Sequence, residues 1–290
     1  PVDPQTLGIH RNGQQLETRY AKYYRNAVQQ KVQDDYSYEQ YWAPIESELS
    51  GKKLIFFSPD GVFNQINLNT LRKPGGDYVI NRYDLTILGN SKDLMALKNR
   101  KVTQASKNAT ILGFPEYGGE SITPLPGTRV EVDAISSILR PSGYKLNLLT
   151  QASASESKLK AVKNPDLLHI ATHGYFLEDV EKTGSAFGVH LDNAHHNPLL
   201  RSGLMLAGAA KTLSGASSPN LESNDNGILT AYEAMNMDLE GTQLIVLSAC
   251  ETGLGDVKVG EGVYGLQRAF MVAGADALIM SLWKVDDSAT

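Results

Sequence analysis

Apolar residues fall along this chain in two patterns. In residues 1–50 they stand at helical spacing in a polar background. Tyr20, Tyr23, Tyr24, Ala27 and Val28 recur three, one, three and one apart, which predicts an amphipathic helix. A second, short helix is predicted from Tyr38 to Leu49, closed by Ser50-Gly51. From Lys53 onward the apolar residues gather into short runs instead. Leu54-Ile55-Phe56-Phe57 ends at the turn signal Ser58-Pro59-Asp60-Gly61, and Val62 to Ile66 reads as its hairpin partner. Tyr78-Val79-Ile80, Leu85 to Leu88 and Thr110 to Gly113 read as further strands. Glu131 to Leu139 reads as a helix with Val132, Ile135, Ile138 and Leu139 on one face. Leu146 to Leu149 is then a strand and Ser155 to Val162 a helix.

The second half is more regular. Leu167 to Ala171, Leu244 to Ala249 and Ala277 to Leu282 are near-continuous apolar runs, without the alternation of a half-exposed strand. Such runs are buried on both faces, as in a parallel sheet covered by helices. Between the last two lies Gly262 to Ala273, with Val263, Leu266, Ala269, Phe270 and Ala273 at helical spacing. Strand, helix, strand implies a right-handed crossover and an α/β architecture. Residues 178–226 are polar, rich in Gly, Ser, Asn and His, and long for a loop; they read as a partly mobile segment or a functional insertion.

Composition narrows the class. With 290 residues, 41% hydrophobic and 20% charged, the chain is globular, of one or two domains, and neither disordered nor fibrous. A formal charge of −5 lacks the basic balance of a nucleic-acid binder. No apolar run approaches the roughly 20 residues that a membrane helix needs. The single cysteine, Cys250, excludes an intrachain disulfide and points to a reducing, cytoplasmic setting. The chain starts at Pro1 without a signal peptide, and both ends read as cut.

The candidate chemistry sits at two strand ends. The run 167–172 leads straight into His173-Gly174, and the run 244–249 leads straight into Cys250. In an open parallel sheet, ligands bind beyond the carboxyl ends of the strands. If these strands are parallel neighbours, an imidazole and a thiol emerge on one edge, where the base assists the nucleophile. The Gly174 and Cys250 amides would then serve as an oxyanion hole. The competing reading makes Cys250 core filler and His173 an ordinary hydrogen-bonded residue at a strand end.

Other motifs carry less. Gly260-Glu261-Gly262-Val263-Tyr264-Gly265 matches a dinucleotide fingerprint, but it does not follow a strand directly; the glycines fit close helix-to-sheet packing better. His190, His195 and His196 lie in the polar segment and read as solvated rather than metal-bound. His169 and His173 lack the helical setting and the Glu of a zinc H-E-x-x-H site, so neither a metal nor a cofactor is expected. Asp286-Asp287 is either an acidic turn or the floor of a pocket for a basic side chain.

His169-Ile170-Ala171-Thr172-His173-Gly174, followed by Leu247-Ser248-Ala249-Cys250-Glu251-Thr252-Gly253, resembles the CHAT family. These are bacterial caspase-like peptidases related to separase, often fused to TPR repeats. The resemblance continues through Gly260 to Leu266, Ala273-Gly274-Ala275 and Ser281 to Asp287. Upstream it takes in Phe57 to Gly61 and Leu125-Pro126-Gly127-Thr128, so that it covers roughly residues 50–290. It implies a caspase–hemoglobinase α/β/α sandwich with a mainly parallel central sheet. Residues 1–50 would be a helical leader ending an upstream TPR-like region, 51–145 a degenerate protease-like half, and 146–290 a catalytic half truncated at its end. His173 and Cys250 would form the dyad of a cysteine endopeptidase. Asp287, ahead of Asp286 or Glu251, would read a basic residue before the scissile bond. The implied partners are a protein substrate and an activating protein, without direct nucleic-acid or membrane contact. The alternative is a catalytically silent interaction module that kept the fold.

Overall fold

The computed structural model describes residues 19–99, 106–177, 184–214, 225–249, 256–258 and 262–282. The chain divides into two compact units, residues 1–101 with 257–262, and residues 102–256 with 263–290.

The first unit is built on aromatic residues. A π-helical turn, Tyr20–Arg25, runs into the α-helix Asn26–Gln30, and the predicted face buries Tyr20, Tyr24 and Ala27. The second predicted helix is split into Tyr36–Tyr41 and Ala43–Glu46. Pro44 has no N–H for the Gln40 carbonyl and stands in the first turn of the second helix, so the break falls just before it, at Trp42. Tyr38, Tyr41 and Trp42 are buried together with Val62, Phe63 and Leu68. Strand β1 (Leu54–Phe57) does not form the expected hairpin. It pairs in parallel with β2 (Asp84–Ile87), and Gly61–Gln65 is a 3-10 helix. Asp60 starts that helix by accepting the Gly61 N–H, and the turn buries Val62 and Phe63 side by side, which an alternating strand would separate. Tyr78-Val79-Ile80 is likewise no strand. Val79–Arg82 forms one helical turn that buries only Val79 and leaves Tyr78 and Ile80 exposed.

The second unit carries the predicted parallel sheet. Its strands are β3 (Asn108–Pro115), β4 (Lys145–Gln151), β5 (Leu167–Ala171), β11 (Leu244–Ser248) and β14 (Leu278–Met280). The order is β14-β11-β5-β3-β4 and every neighbouring pair is parallel. The molecule is thus a mixed α/β protein with a mainly parallel central sheet. Helices Gly127–Leu139, Glu156–Lys160 and Leu266–Val272 make the crossovers between β3 and β4, β4 and β5, and β11 and β14. Leu168, Ile170, Ile245, Leu247, Leu266 and Phe270 are buried in one core. On the helix Gly127–Leu139, Val132 and Ser136 face inward, whereas Ile138 is 66% exposed, so the predicted face is rotated by part of a turn.

Much of the polar stretch 178–226 is folded. Strand β6 (Gly174–Phe176) leaves β5 and joins an antiparallel sheet of order β10-β9-β6, with β9 Ser202–Met205 and β10 Ile228–Thr230. The short strands β7 (Ser185–Ala186) and β8 (Val189–His190) pair with each other, and β12 (Asp256–Lys258) and β13 (Gly262–Tyr264) form a separate two-stranded sheet. Leu204, Leu206 and Ala209 are fully buried, a short apolar run that the surrounding polar composition masks.

Candidate active site

Along the chain, the five parallel strands stack in the order 2-1-3-4-5, so the direction of winding reverses between β3 and β5. At such a point the loops leaving the carboxyl ends go to opposite sides and open a crevice, where doubly wound proteins bind ligands. His173 lies on one lip, two residues past β5; Tyr117 and Thr123 follow β3 on the other.

Two glycines let these elements come close. A Cβ on Gly113 would stand 2.5 Å from Val132 Cγ2, so the absence of a side chain there admits the helix Gly127–Leu139 onto β3. Thr128, at the start of that helix, accepts the Phe114 N–H at 3.0 Å and donates to the Leu125 carbonyl at 2.6 Å, which fastens the end of β3 to the Leu125-Pro126-Gly127-Thr128 turn. A Cβ on Gly203 would meet the Tyr175 ring at 2.7 Å, so β9 can lie against β6.

His173 is half-buried, and its backbone and ring are both held. The His173 carbonyl accepts the Met205 N–H at 2.9 Å. The ring Nε2 lies 2.8 Å from the Thr123 carbonyl oxygen. A carbonyl only accepts, so Nε2 carries the proton and donates; in the neutral ring Nδ1 is then left with its lone pair. The Tyr117 ring packs beside the imidazole with centroids 5.5 Å apart. Directly before it, Thr172 is buried, and its hydroxyl donates to the Met205 carbonyl. The hydroxyl has one proton, so the Tyr117 hydroxyl, 3.0 Å away, is the donor to Thr172 Oγ1.

Gly174 opens β6 opposite Leu204. In an antiparallel ladder the bonded positions alternate, and Met205 N–H to His173 and Leu177 N–H to the Arg201 carbonyl mark the odd residues as the bonded set. The Gly174 amide therefore turns away from β9.

The strand leading to Cys250 is a parallel neighbour of β5, with Leu247 opposite Ile170 and Ser248 opposite Ala171. In sequence, His173 stands two residues beyond Ala171 and Cys250 two beyond Ser248. The end of β11 is tied on three sides. The Thr172 N–H donates to the Ser248 carbonyl at 3.2 Å, Ser248 Oγ donates to Glu131 Oε2 at 3.0 Å, and Ser281 Oγ donates to the Ala249 carbonyl. Cys250, Glu251, Asp286 and Asp287 lie outside the described residues, and so does the first glycine of the fingerprint, Gly260.

His169 lies within the sheet layer, with Nε2 at 3.1 Å from Glu131 Oε1 but not aligned as a hydrogen bond. His190 faces Ser185, and His196 lies 3.8 Å from Asp192. Among the described residues, no three or more His, Cys, Asp or Glu side chains gather to hold a metal ion, and no helix is long and apolar enough to cross a membrane. Sequence reading missed Thr123, which acts through its backbone, and Tyr117, Glu131 and Ser281. Of these, only Ser281 sits in a segment the motifs had marked.

A family model for the CHAT domain matches residues 38–290. No curated protein matches the chain.

Proposed function

Because the chain belongs to the CHAT domain family, which is related to caspase-like cysteine peptidases, we propose that it is a cysteine endopeptidase with a His173–Cys250 dyad on a caspase-like sandwich. The observation that carries this reading is the contact of His173 Nε2 with the Thr123 carbonyl, 2.8 Å. The Nε2–H is committed to that carbonyl, which leaves Nδ1 as a base at the crevice, on the strand next to the one that leads into Cys250.

In the proposed cycle the Cys250 thiol gives its proton to Nδ1, and its sulfur attacks the peptide carbonyl carbon. The oxyanion is held by the Gly174 and Cys250 amides. The imidazolium, its positive charge facing the Thr123 carbonyl, returns the proton from Nδ1 to the leaving amine as the C–N bond breaks. A water then gives a proton to Nδ1 and attacks the thioester, which releases the acid and restores the thiol. Asp287, with Asp286 or Glu251 as alternatives, would pair with a basic side chain before the scissile bond, Arg more strongly than Lys because its fork matches a carboxylate. The activity would be raised from a low basal level by a protein partner in a reducing compartment.

The test is a peptide library with matching thiol-reactive peptide probes, run on wild type, Cys250→Ala and Asp287→Asn. Cys250→Ala should lose about a thousandfold or more in rate while staying folded. Asp287→Asn should lose the preference for basic residues. Cleavage that survives Cys250→Ala would move the nucleophile elsewhere. A folded wild type that neither cleaves nor takes a probe would favour a silent interaction module.

A further inference from the structure

Behind the crevice, the helix Gly127–Leu139 sends one carboxylate down onto two strands at once. Glu131 Oε1 lies 3.1 Å from His169 Nε2 on β5, and Glu131 Oε2 accepts from Ser248 Oγ on β11 at 3.0 Å. The Glu131 side chain is 14% exposed and the His169 side chain 5%. In the ladder His169 pairs with Val246 and Ala171 with Ser248. Side chains alternate along a strand, and paired residues of parallel strands face the same side. The carboxylate therefore spans the seam between β5 and β11 from the face that carries both His169 and Ser248.

Apolar side chains would fill such a space at less cost, because a buried carboxylate loses its hydration and regains only what its partners return. Pure stabilisation is thus a weak reason for Glu131 to be here. Its location offers a better one. Among the described residues, the last backbone bond between the two strands is Thr172 N–H to the Ser248 carbonyl, at 3.2 Å. Beyond it β6 turns away to pair with β9. Glu131 grips the Ser248 side chain at that last bond, two residues before Cys250, while its other oxygen faces β5 four residues before His173.

We propose that Glu131 is a positioning residue, which accepts from Ser248 Oγ of β11 with one carboxylate oxygen while the other packs against His169 of β5, and so fixes the direction in which β11 leaves the sheet relative to β5 and the approach of the Cys250 thiol to His173. The inference rests on the dyad reading. A misplacement of about 1 Å in a reacting pair can cost on the order of a hundredfold in rate, so a brace of this kind has a measurable effect.

Cys250 is the only cysteine, so alkylation of the whole chain by iodoacetamide reports on that thiol alone. Second-order rates across pH 5–9 are to be measured for wild type, His173→Ala, Glu131→Ala, Glu131→Gln and Ser248→Ala, each checked for folding by thermal melting. At neutral pH His173→Ala should slow alkylation, and Glu131→Ala should slow it about tenfold, with the pH profile moved in the same sense. Glu131→Gln keeps an acceptor for Ser248 Oγ and should return to within about threefold of wild type. Ser248→Ala should fall in the direction of Glu131→Ala, and the two together should be less than additive, because they break one contact. With a cleavable peptide, Glu131→Ala should lower kcat and leave KM nearly unchanged. Slowing by His173→Ala with wild-type profiles in Glu131→Ala and Ser248→Ala would overturn the brace alone. An unaltered profile in His173→Ala would overturn the dyad reading, and the brace with it. If Glu131→Ala does not fold, Ser248→Ala decides: a wild-type profile there overturns the proposal.

Discussion

Thr172 has no chemistry to offer a substrate, yet it organises the residue after it. Its hydroxyl donates to the Met205 carbonyl and accepts from Tyr117, and its N–H reaches the Ser248 carbonyl, so three chain segments converge beside His173. Thr172→Val keeps the shape but removes the donor to a buried carbonyl and the acceptor of the Tyr117 hydroxyl. It should cost about 1–3 kcal/mol, against about 0.5–1.5 kcal/mol for Tyr117→Phe, which removes the bond to Thr172 and leaves Thr172 still bonded to Met205. Urea unfolding at constant m-value measures both, and a larger loss for Tyr117→Phe than for Thr172→Val would contradict the assigned direction of the Tyr117–Thr172 bond. At this scale the sequence was legible only where the chemistry is carried by a side chain in a recognisable run, as for His173. Thr123 acts through its carbonyl, which every residue type possesses. Glu131 reads in sequence as the polar first residue of an amphipathic helix, and nothing local shows that it points inward to His169 and Ser248.

Among the elements, the legible ones were those whose burial leaves a continuous apolar trace. β5 and β11 were recognisable as buried parallel strands because both of their faces are covered. Elements whose burial is partial were misread. Val62 to Ile66 has a strand's composition, but its turn at Asp60-Gly61 starts a 3-10 helix. The run from Leu204 to Leu206 was lost within a polar segment although all but one of its residues is fully buried. Contact between elements leaves even less trace, and Gly113 is a case. An alanine there would push its Cβ to 2.5 Å from Val132 Cγ2 and 3.2 Å from the Thr128 carbonyl. Gly113→Ala should therefore destabilise by about 1–3 kcal/mol through overpacking. Val132→Ala removes the nearer obstacle but not the backbone oxygen, so the double variant should be more stable than the sum of the two losses, by about 0.5 kcal/mol or more. Strict additivity, read from chemical denaturation, would mean that helix and strand do not meet at this glycine.

For the whole molecule, composition gave the class and the strand runs gave the parallel sheet, but the strand order and the crevice it creates depend on pairings between residues far apart in the chain. Asp166 belongs to that long-range level. It sits just before β5, and its carboxylate accepts from the Ser106 amide at 3.1 Å, Ser106 Oγ at 2.7 Å and the Asn108 amide at 2.8 Å, while its backbone carbonyl takes the amides of Gln243 and Leu244. One residue thus ties together the amino ends of β3, β5 and β11, at the sheet edge opposite His173. Burial pulls its pKa upward, but the hydrogen bonds from Ser106 and from the backbone amides outweigh it and hold the carboxyl below its ordinary 3.8. In the first unit Glu46 behaves alike. Burial raises it, while the hydroxyls of Tyr38 and Tyr83 and the charges of Arg82 and Lys73 bring it below its ordinary 4.5. A carboxyl depressed in the folded state is protonated more readily in the unfolded chain. Its contribution is therefore fully present above the unfolded value and is lost as pH falls through the folded one. Both units should accordingly lose stability below about pH 4.5, on the side of the lowered carboxyls. Asp166→Asn should cost about 1.5–3 kcal/mol at pH 7, since Asn offers one acceptor oxygen to donors that now use two. The gap between Asp166→Asn and wild type should narrow steadily as pH falls below 4.5, because acid neutralises the wild-type carboxylate as well. The same narrowing is expected for Glu46→Gln. Denaturant titrations at a series of pH values between 7 and 2 measure both gaps, and a gap for Asp166→Asn that stays constant over that range would show that its charge plays no part in holding the three strands together.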